Sequence, residues 1–100
     1  MSKETIRVVA HIFALPEKAE QVKSILSGLV EPTRQELGCI HYELLQSRTN
    51  PTEFTLLEEW ETQAALDAHS AANFVKTAEA KMDSLLITSP PDVRFYLSIA

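Results

Sequence analysis

The sequence predicts one α+β domain in which two helical regions cross a four-stranded antiparallel sheet in the order β-α-β-β-α-β. Three observations carry this. Four runs, residues 6–15, Cys39–Gln46, Glu53–Trp60 and 93–99, are rich in β-branched and aromatic residues. Helical spacing of apolar residues appears only in the two long intervals between them. Proline, glycine and short polar clusters stand at the borders.

After a polar lead-in at residues 1–5, the first strand (IRVVAHIFAL) ends at Pro16. Pro16 suits the first turn of a helix, where its missing N–H goes unneeded, and Glu17 lies near the positive end of the dipole. Ala19, Val22, Leu26, Leu29, Val30 and Leu37 then fall on one helical face. Pro32 is expected to kink or restart this helix, and Gly38 to end it in a left-handed conformation. Strands two and three flank Ser-Arg-Thr-Asn-Pro-Thr, short enough for an antiparallel hairpin. Thr62 is the expected N-cap of an alanine-rich helical stretch over 63–86, with Asn73 a candidate break. Pro90 and Pro91 stop it before the closing strand. This is the split β-α-β, or ferredoxin-like, arrangement.

Size and charge narrow the function classes. One hundred residues, 45% of them hydrophobic and 23% charged, suffice for one core and are expected to form a single domain over 1–100. A net charge of −5 leaves no basic stripe for a nucleic-acid backbone. Arg7 and His11 interrupt the first apolar run, so no membrane span is expected, and no small-residue cleavage site follows it. The one cysteine, Cys39, has no internal disulfide partner, which suits a reducing, cytoplasmic setting.

Strand alternation splits the sheet into two faces. One carries Ile6, Val8, Ala10, Ile12, Ile40, Tyr42, Leu44, Phe54, Leu56, Glu58, Trp60, Val93 and Phe95. The other carries Arg7, Val9, His11, Phe13, Cys39, His41, Leu45, Leu57 and Tyr96. Two helices cover only one face, and neither is polar enough to be left in water, so a second copy is expected to cover the remaining one. The expected homodimer packs its first faces together through Tyr42, Leu44, Leu56 and Phe95, with Glu58 and Trp60 as packing residues there. The second face then meets the helices.

The segment 37–46 (LGCIHYELLQ) resembles the glycine–cysteine strand of the antibiotic biosynthesis monooxygenase domain. Residues 54–74 (FTLLEEWETQAALDAHSAANF) resemble that family's signature, with Glu58, Trp60, Ala65, Leu66, His69 and Phe74 in register, as is Pro16 ahead of helix one. Asn73 stands where the family often has a second histidine. The resemblance implies a dimeric α+β barrel with a pocket in each subunit between sheet and helices. It also implies one of several chemistries: cofactor-independent oxygenation of polycyclic phenols or quinols, haem degradation, or isomerisation of a small phosphorylated sugar.

By that resemblance His69 borders the pocket, where imidazole suits a proton acceptor; its structural alternative is a helix-edge histidine bonded to a carbonyl. His11 and His41, with Tyr96 and Leu57, would converge on His69 if the second face meets the helices, His11 as a further catalytic candidate and the others lining substrate. Asn73 could bond a ligand carbonyl or cap a helix break, and Phe74 lies beside it. Cys39 reads as a packing residue, since no base is adjacent. The histidines lack metal-ligand spacing, and Gly28 and Gly38 alone cannot make a dinucleotide fingerprint, so neither metal nor cofactor is expected. Haem degradation would place its residues at His11, His69 and Glu79, none of which matches. The leading expectation is a cofactor-independent monooxygenase acting with dioxygen on a quinol-like or polycyclic phenolic small molecule. The alternative is an isomerase of, or binding protein for, a small polar metabolite, phosphorylated or not.

Overall fold

In the computed structural model, which describes residues 4–100, β1 (Ile6–Phe13) leads through a 3-10 turn (Pro16–Lys18) into α1 (Ala19–Arg34). Then come β2 (Cys39–Gln46), β3 (Glu53–Trp60), α2 (Gln63–Ala71), α3 (Asn73–Met82), a 3-10 turn (Asp83–Leu85) and β4 (Asp92–Tyr96). The strands pair antiparallel in the order β2-β3-β1-β4, the ferredoxin-like topology expected. Residues 1–3 of the polar lead-in lie outside the described residues. Among the described residues, no helix is long and apolar enough to cross a membrane.

The punctuation acts largely as its chemistry suggests. The Thr62 hydroxyl accepts the Ala65 N–H at 3.1 Å and caps α2. The second helical region breaks at Ala72, whose extended backbone ends α2 and starts α3, one residue before the expected break. Pro32 does not restart α1 but sits in its last turn. There Gln35 N–H shares the Glu31 and Pro32 carbonyls, at 3.3 and 3.2 Å, and the helix stops at Arg34, short of Leu37. Gly38 does adopt positive φ (+85°), in a turn past the helix end rather than as its cap. β1 and β4 are each shorter than the apolar runs: Ala14 leaves the ladder for a single bridge to Leu86, and β4 ends at Tyr96.

The faces of the sheet are reversed from the expectation. Val8, Ala10, Ile12, Tyr42, Phe54, Leu56 and Trp60 are buried in one core with Val22, Leu26 and Leu29 of α1, Leu66 of α2 and Val75, Ala78 and Met82 of α3. Each large apolar side chain buried there contributes about 1.5–3 kcal/mol. The helices thus take the richer apolar face, which removes the larger apolar area from water within the chain itself. Tyr42 and Leu56 are therefore not on an interface. The face left open carries the rows Glu43–Leu57–Val9–Arg94, Leu45–Thr55–His11–Asp92 and His41–Glu59–Arg7–Tyr96. A second correction concerns β2. A register shift between Cys39 and His41 pairs Cys39 with Trp60 and Tyr42 with Glu58, so Cys39 packs against the core while Ile40 is exposed.

Candidate active site

One sheet row runs Tyr42–Glu58–Val8–Phe95 from β2 to β4 on the helix side. Over it lies a cavity of about 190 Å³, roofed by Leu66, His69 and Ser70 of α2 and by Val75, Glu79 and Met82 of α3. Its deep end holds the buried side chains of Tyr42, Glu58 and His69, which are 2%, 7% and 6% exposed. Its mouth is formed by Pro90, Pro91, Val93 and Phe95, with Ser70 and Glu79 exposed beside it. No lysine or arginine is among the lining residues.

His69 is held by two kinds of contact. Its ring lies 4.7 Å from the Trp60 ring, 5.7 Å from Tyr42 and 6.3 Å from Phe74, centroid to centroid. Its Nδ1 is 2.6 Å from Oε1 of Glu36, in the turn between α1 and β2. An ionised carboxylate can only accept, so Nδ1 carries the proton and donates it to Glu36. In the neutral ring the lone pair then belongs to Nε2, which has no hydrogen-bond partner among the described residues. The arrangement orients one nitrogen with a carboxylate and leaves the other as a base.

Glu58 contributes a second polar group. Trp60 Nε1–H donates to Glu58 Oε1 at 2.9 Å, a bond both side chains make inside the core. No Lys, Arg or His forms an ion pair with Glu58 among the described residues. Burial raises the Glu58 carboxyl above its usual range, opposed in part by the Trp60 bond and by His69. Burial likewise pushes the Tyr42 phenol up, reinforced by Glu58, so it stays neutral. Desolvation also raises the Cys39 thiol, with Glu36 and Glu58 adding, which suits a packing residue and not a nucleophile.

The expected site residues separate in space. His69 lines the cavity and Phe74 contacts its ring. Asn73 is exposed and lies with Phe74 on a groove between α1 and α3. His11, His41, Leu57 and Tyr96 do not converge with His69, because their face is the one the helices leave open. There His11 Nδ1 is 3.3 Å from the Thr55 hydroxyl, and His41 Nε2 is 3.1 Å from Glu43. Glu36 lies in a turn with no periodicity, so no sequence pattern marks it. Glu58 and Tyr42 lie beneath the helices and not on a face between two copies. The largest side chains, Trp60, Phe54 and Tyr42, are the signal that marks the covered face. Among the described residues, no three His, Cys, Asp or Glu side chains gather as they would to hold a metal ion.

The sequence model of the family described as antibiotic biosynthesis monooxygenase matches residues 5–81. This chain belongs to that family. Among relatives of this family member, the Bacillus subtilis protein named "Putative monooxygenase YcnE" is 33% identical over 84 residues, 84% of this chain and 87% of that protein. "Uncharacterized protein sll1783" of Synechocystis is 30% identical over 93% of this chain, which spans only 63% of that protein's length. The crystal structure of PA3566 from Pseudomonas aeruginosa superposes with a TM-score of 0.91 at 30% identity, covering 100% of this chain and 98% of that one. The matched residues include Glu58, Trp60 and His69; Trp60 bonds Glu58 and packs against the ring of His69, and Glu58 and His69 line the cavity.

Proposed function

We propose that this protein is a cofactor-independent monooxygenase acting on a small quinol-like phenol, with His69 as the base. The observation that carries the reading is the Glu36–His69 pair at the wall of an apolar cavity. Nε2 takes the proton from a phenolic or enolic hydroxyl, and the imidazolium stays bonded to the Glu36 carboxylate. The electron-rich anion passes one electron to dioxygen, and the carbon radical and superoxide combine. The peroxide recovers the proton from His69, and loss of water leaves a carbonyl. Overall, a ring CH2 and O2 become C=O and H2O. At about 190 Å³ the cavity is small beside the roughly 300–1,000 Å³ of drug-sized sites, which favours one or two fused rings over larger polycycles. A phosphorylated metabolite would need cations, and none lines the cavity.

The same proposal has the protein working as a pair of copies joined through the open sheet face. Val9, Phe13, Leu45, Leu57 and Tyr96 form a partly exposed apolar patch there, crossed by charged residues of both signs.

The test of the reaction is oxygen uptake with a panel of hydroquinones, naphthohydroquinones and anthrones. Turnover is expected to fall roughly a hundredfold or more in His69→Ala, the scale of losing a positioned base. His69→Gln should fail similarly, because an amide cannot take the proton. Undiminished uptake in a folded His69→Ala protein would overturn the assignment.

A further inference from the structure

Among the described residues, Glu58 is the one buried carboxyl in the core. It gives the buried Trp60 N–H an acceptor, but a neutral amide would do the same at lower desolvation cost than a carboxylate. Glu58 faces Val8 and Tyr42 across the ladders and lines the cavity. The titratable groups that interact with it are His69 of α2 and Tyr42 and Cys39 of β2, none a permanent cation. One oxygen accepts from Trp60, which holds the carboxyl in a fixed orientation, and the other has no hydrogen-bond partner among the described residues.

We propose that Glu58 serves this cavity as a neutral carboxylic acid, donating its O–H to the carbonyl oxygen of an uncharged ligand. The inference rests on the cavity being the ligand site and narrows the ligand class to compact aromatic ketones or hydroxy-ketones. A carboxylic acid kept neutral by an apolar site is a strong donor to an oxygen on which negative charge develops. Glu58 and His69 then divide two roles: the histidine accepts from a hydroxyl or acidic C–H, and Glu58 stabilises the oxygen that gains charge. A ligand that is itself anionic meets no cation and a second anionic group, Glu36, behind His69. The burial-raised carboxyl is consistent with this protonation state.

The experiment uses infrared difference spectroscopy and the fluorescence of Trp60, the single tryptophan, with 1-tetralone as the probe. In the unliganded protein near neutral pH, the parent-minus-E58Q spectrum should show the C=O stretch of a protonated carboxyl. Bound 1-tetralone should show its ketone stretch lowered by a donated hydrogen bond. E58Q, whose amide also donates, should keep binding within about threefold and retain part of that shift. E58A should lose the shift and roughly tenfold in affinity, the scale of one neutral hydrogen bond. A carboxylate band in place of the protonated one would overturn the proposal. So would E58Q weakening the ketone as much as E58A, an unshifted bound ketone, or no Trp60 response up to saturating ketone. Should E58A fail to fold, the E58Q spectra and the ketone shift in the parent still decide. None of these readouts involves oxygen, so absent oxygen uptake alongside a shifted ketone would overturn the monooxygenase reading and leave this one standing.

Discussion

Gly38 and Ala65 meet so closely that a Cβ at position 38 would lie 2.5 Å from the Ala65 Cβ. Gly38 also has φ +85°, a conformation costing an L side chain roughly 1–2 kcal/mol. The contact seats the turn after α1 against the first turn of α2. Ala65 and His69 are one helical turn apart, so the same docking brings Glu36, two residues before Gly38, to Nδ1 of His69. The site's geometry is therefore built into the glycine that the family resemblance flagged for another reason.

Gly38→Ala should lower stability by at least the 1–2 kcal/mol of strain, with the Ala65 clash adding to it, a fall in melting temperature of roughly 4–8 °C per kcal/mol. Because the turn must shift, the Glu36–His69 bond should lengthen as well. Thermal melts check the first part, and the 15N shifts of the His69 ring check the second. A variant melting like the parent would remove the close approach from the account.

Glu36 should fix the tautomer of His69. In the parent, ring 15N shifts should report the proton on Nδ1 and a lone pair on Nε2. Glu36→Gln should keep that tautomer, since its amide oxygen still accepts, but should slow oxygen uptake by weakening support for the imidazolium. Glu36→Ala should lose both the tautomer preference and activity. Equal tautomer populations in parent and Glu36→Ala would show that the 2.6 Å contact does not orient the ring.

These two residues also show where the sequence was legible. Strands two and three, the Thr62 cap and the β-α-β-β-α-β order follow from local rules of alternation, capping and turn chemistry, which one segment expresses by itself. The covered face did not follow. Alternation states which residues share a face but not which face a helix takes, and here both faces are partly apolar. The β2 register shift at Cys39–His41 depends on pairing with β3, so no run of β2 alone discloses it. Glu36 meets a residue 33 positions away through a turn, and turns carry no periodicity. His69 was legible only through the family motif.

Glu58 gives a pH dependence whose sign is fixed. Its carboxyl is raised in the folded protein, so the folded state binds the proton more tightly than the unfolded chain does. Its stabilising contribution is thus fully present below the ordinary carboxylate range and is lost as pH rises through the folded value. Glu58→Gln should remove that slope and melt higher than the parent once pH exceeds this window. Parallel melting curves for the two proteins across pH 4 to 8 would show that Glu58 does not carry a raised carboxyl.

The open sheet face yields a prediction that separates core from interface. Leu57 sits in the row Glu43–Leu57–Val9–Arg94, whereas its neighbour Leu56 points the other way beneath the helices. Lysine at 56 would place an unpaired charge in the core, so Leu56→Lys should unfold the chain in any oligomeric state. Lysine at 57 would reach solvent in a single copy and cost little, because surface substitutions stay within about 0.5 kcal/mol. Between two copies it would be buried without a partner, at a cost of several kcal/mol, and two such lysines would approach each other. Leu57→Lys should therefore sediment as a folded monomer with parent-like circular dichroism, while the parent sediments as a dimer. The cavity lies on the opposite side of the sheet, so the monomeric variant should still bind 1-tetralone. A Leu57→Lys protein that remains dimeric would rule out this face as the interface, and a monomeric parent would rule out the pair altogether.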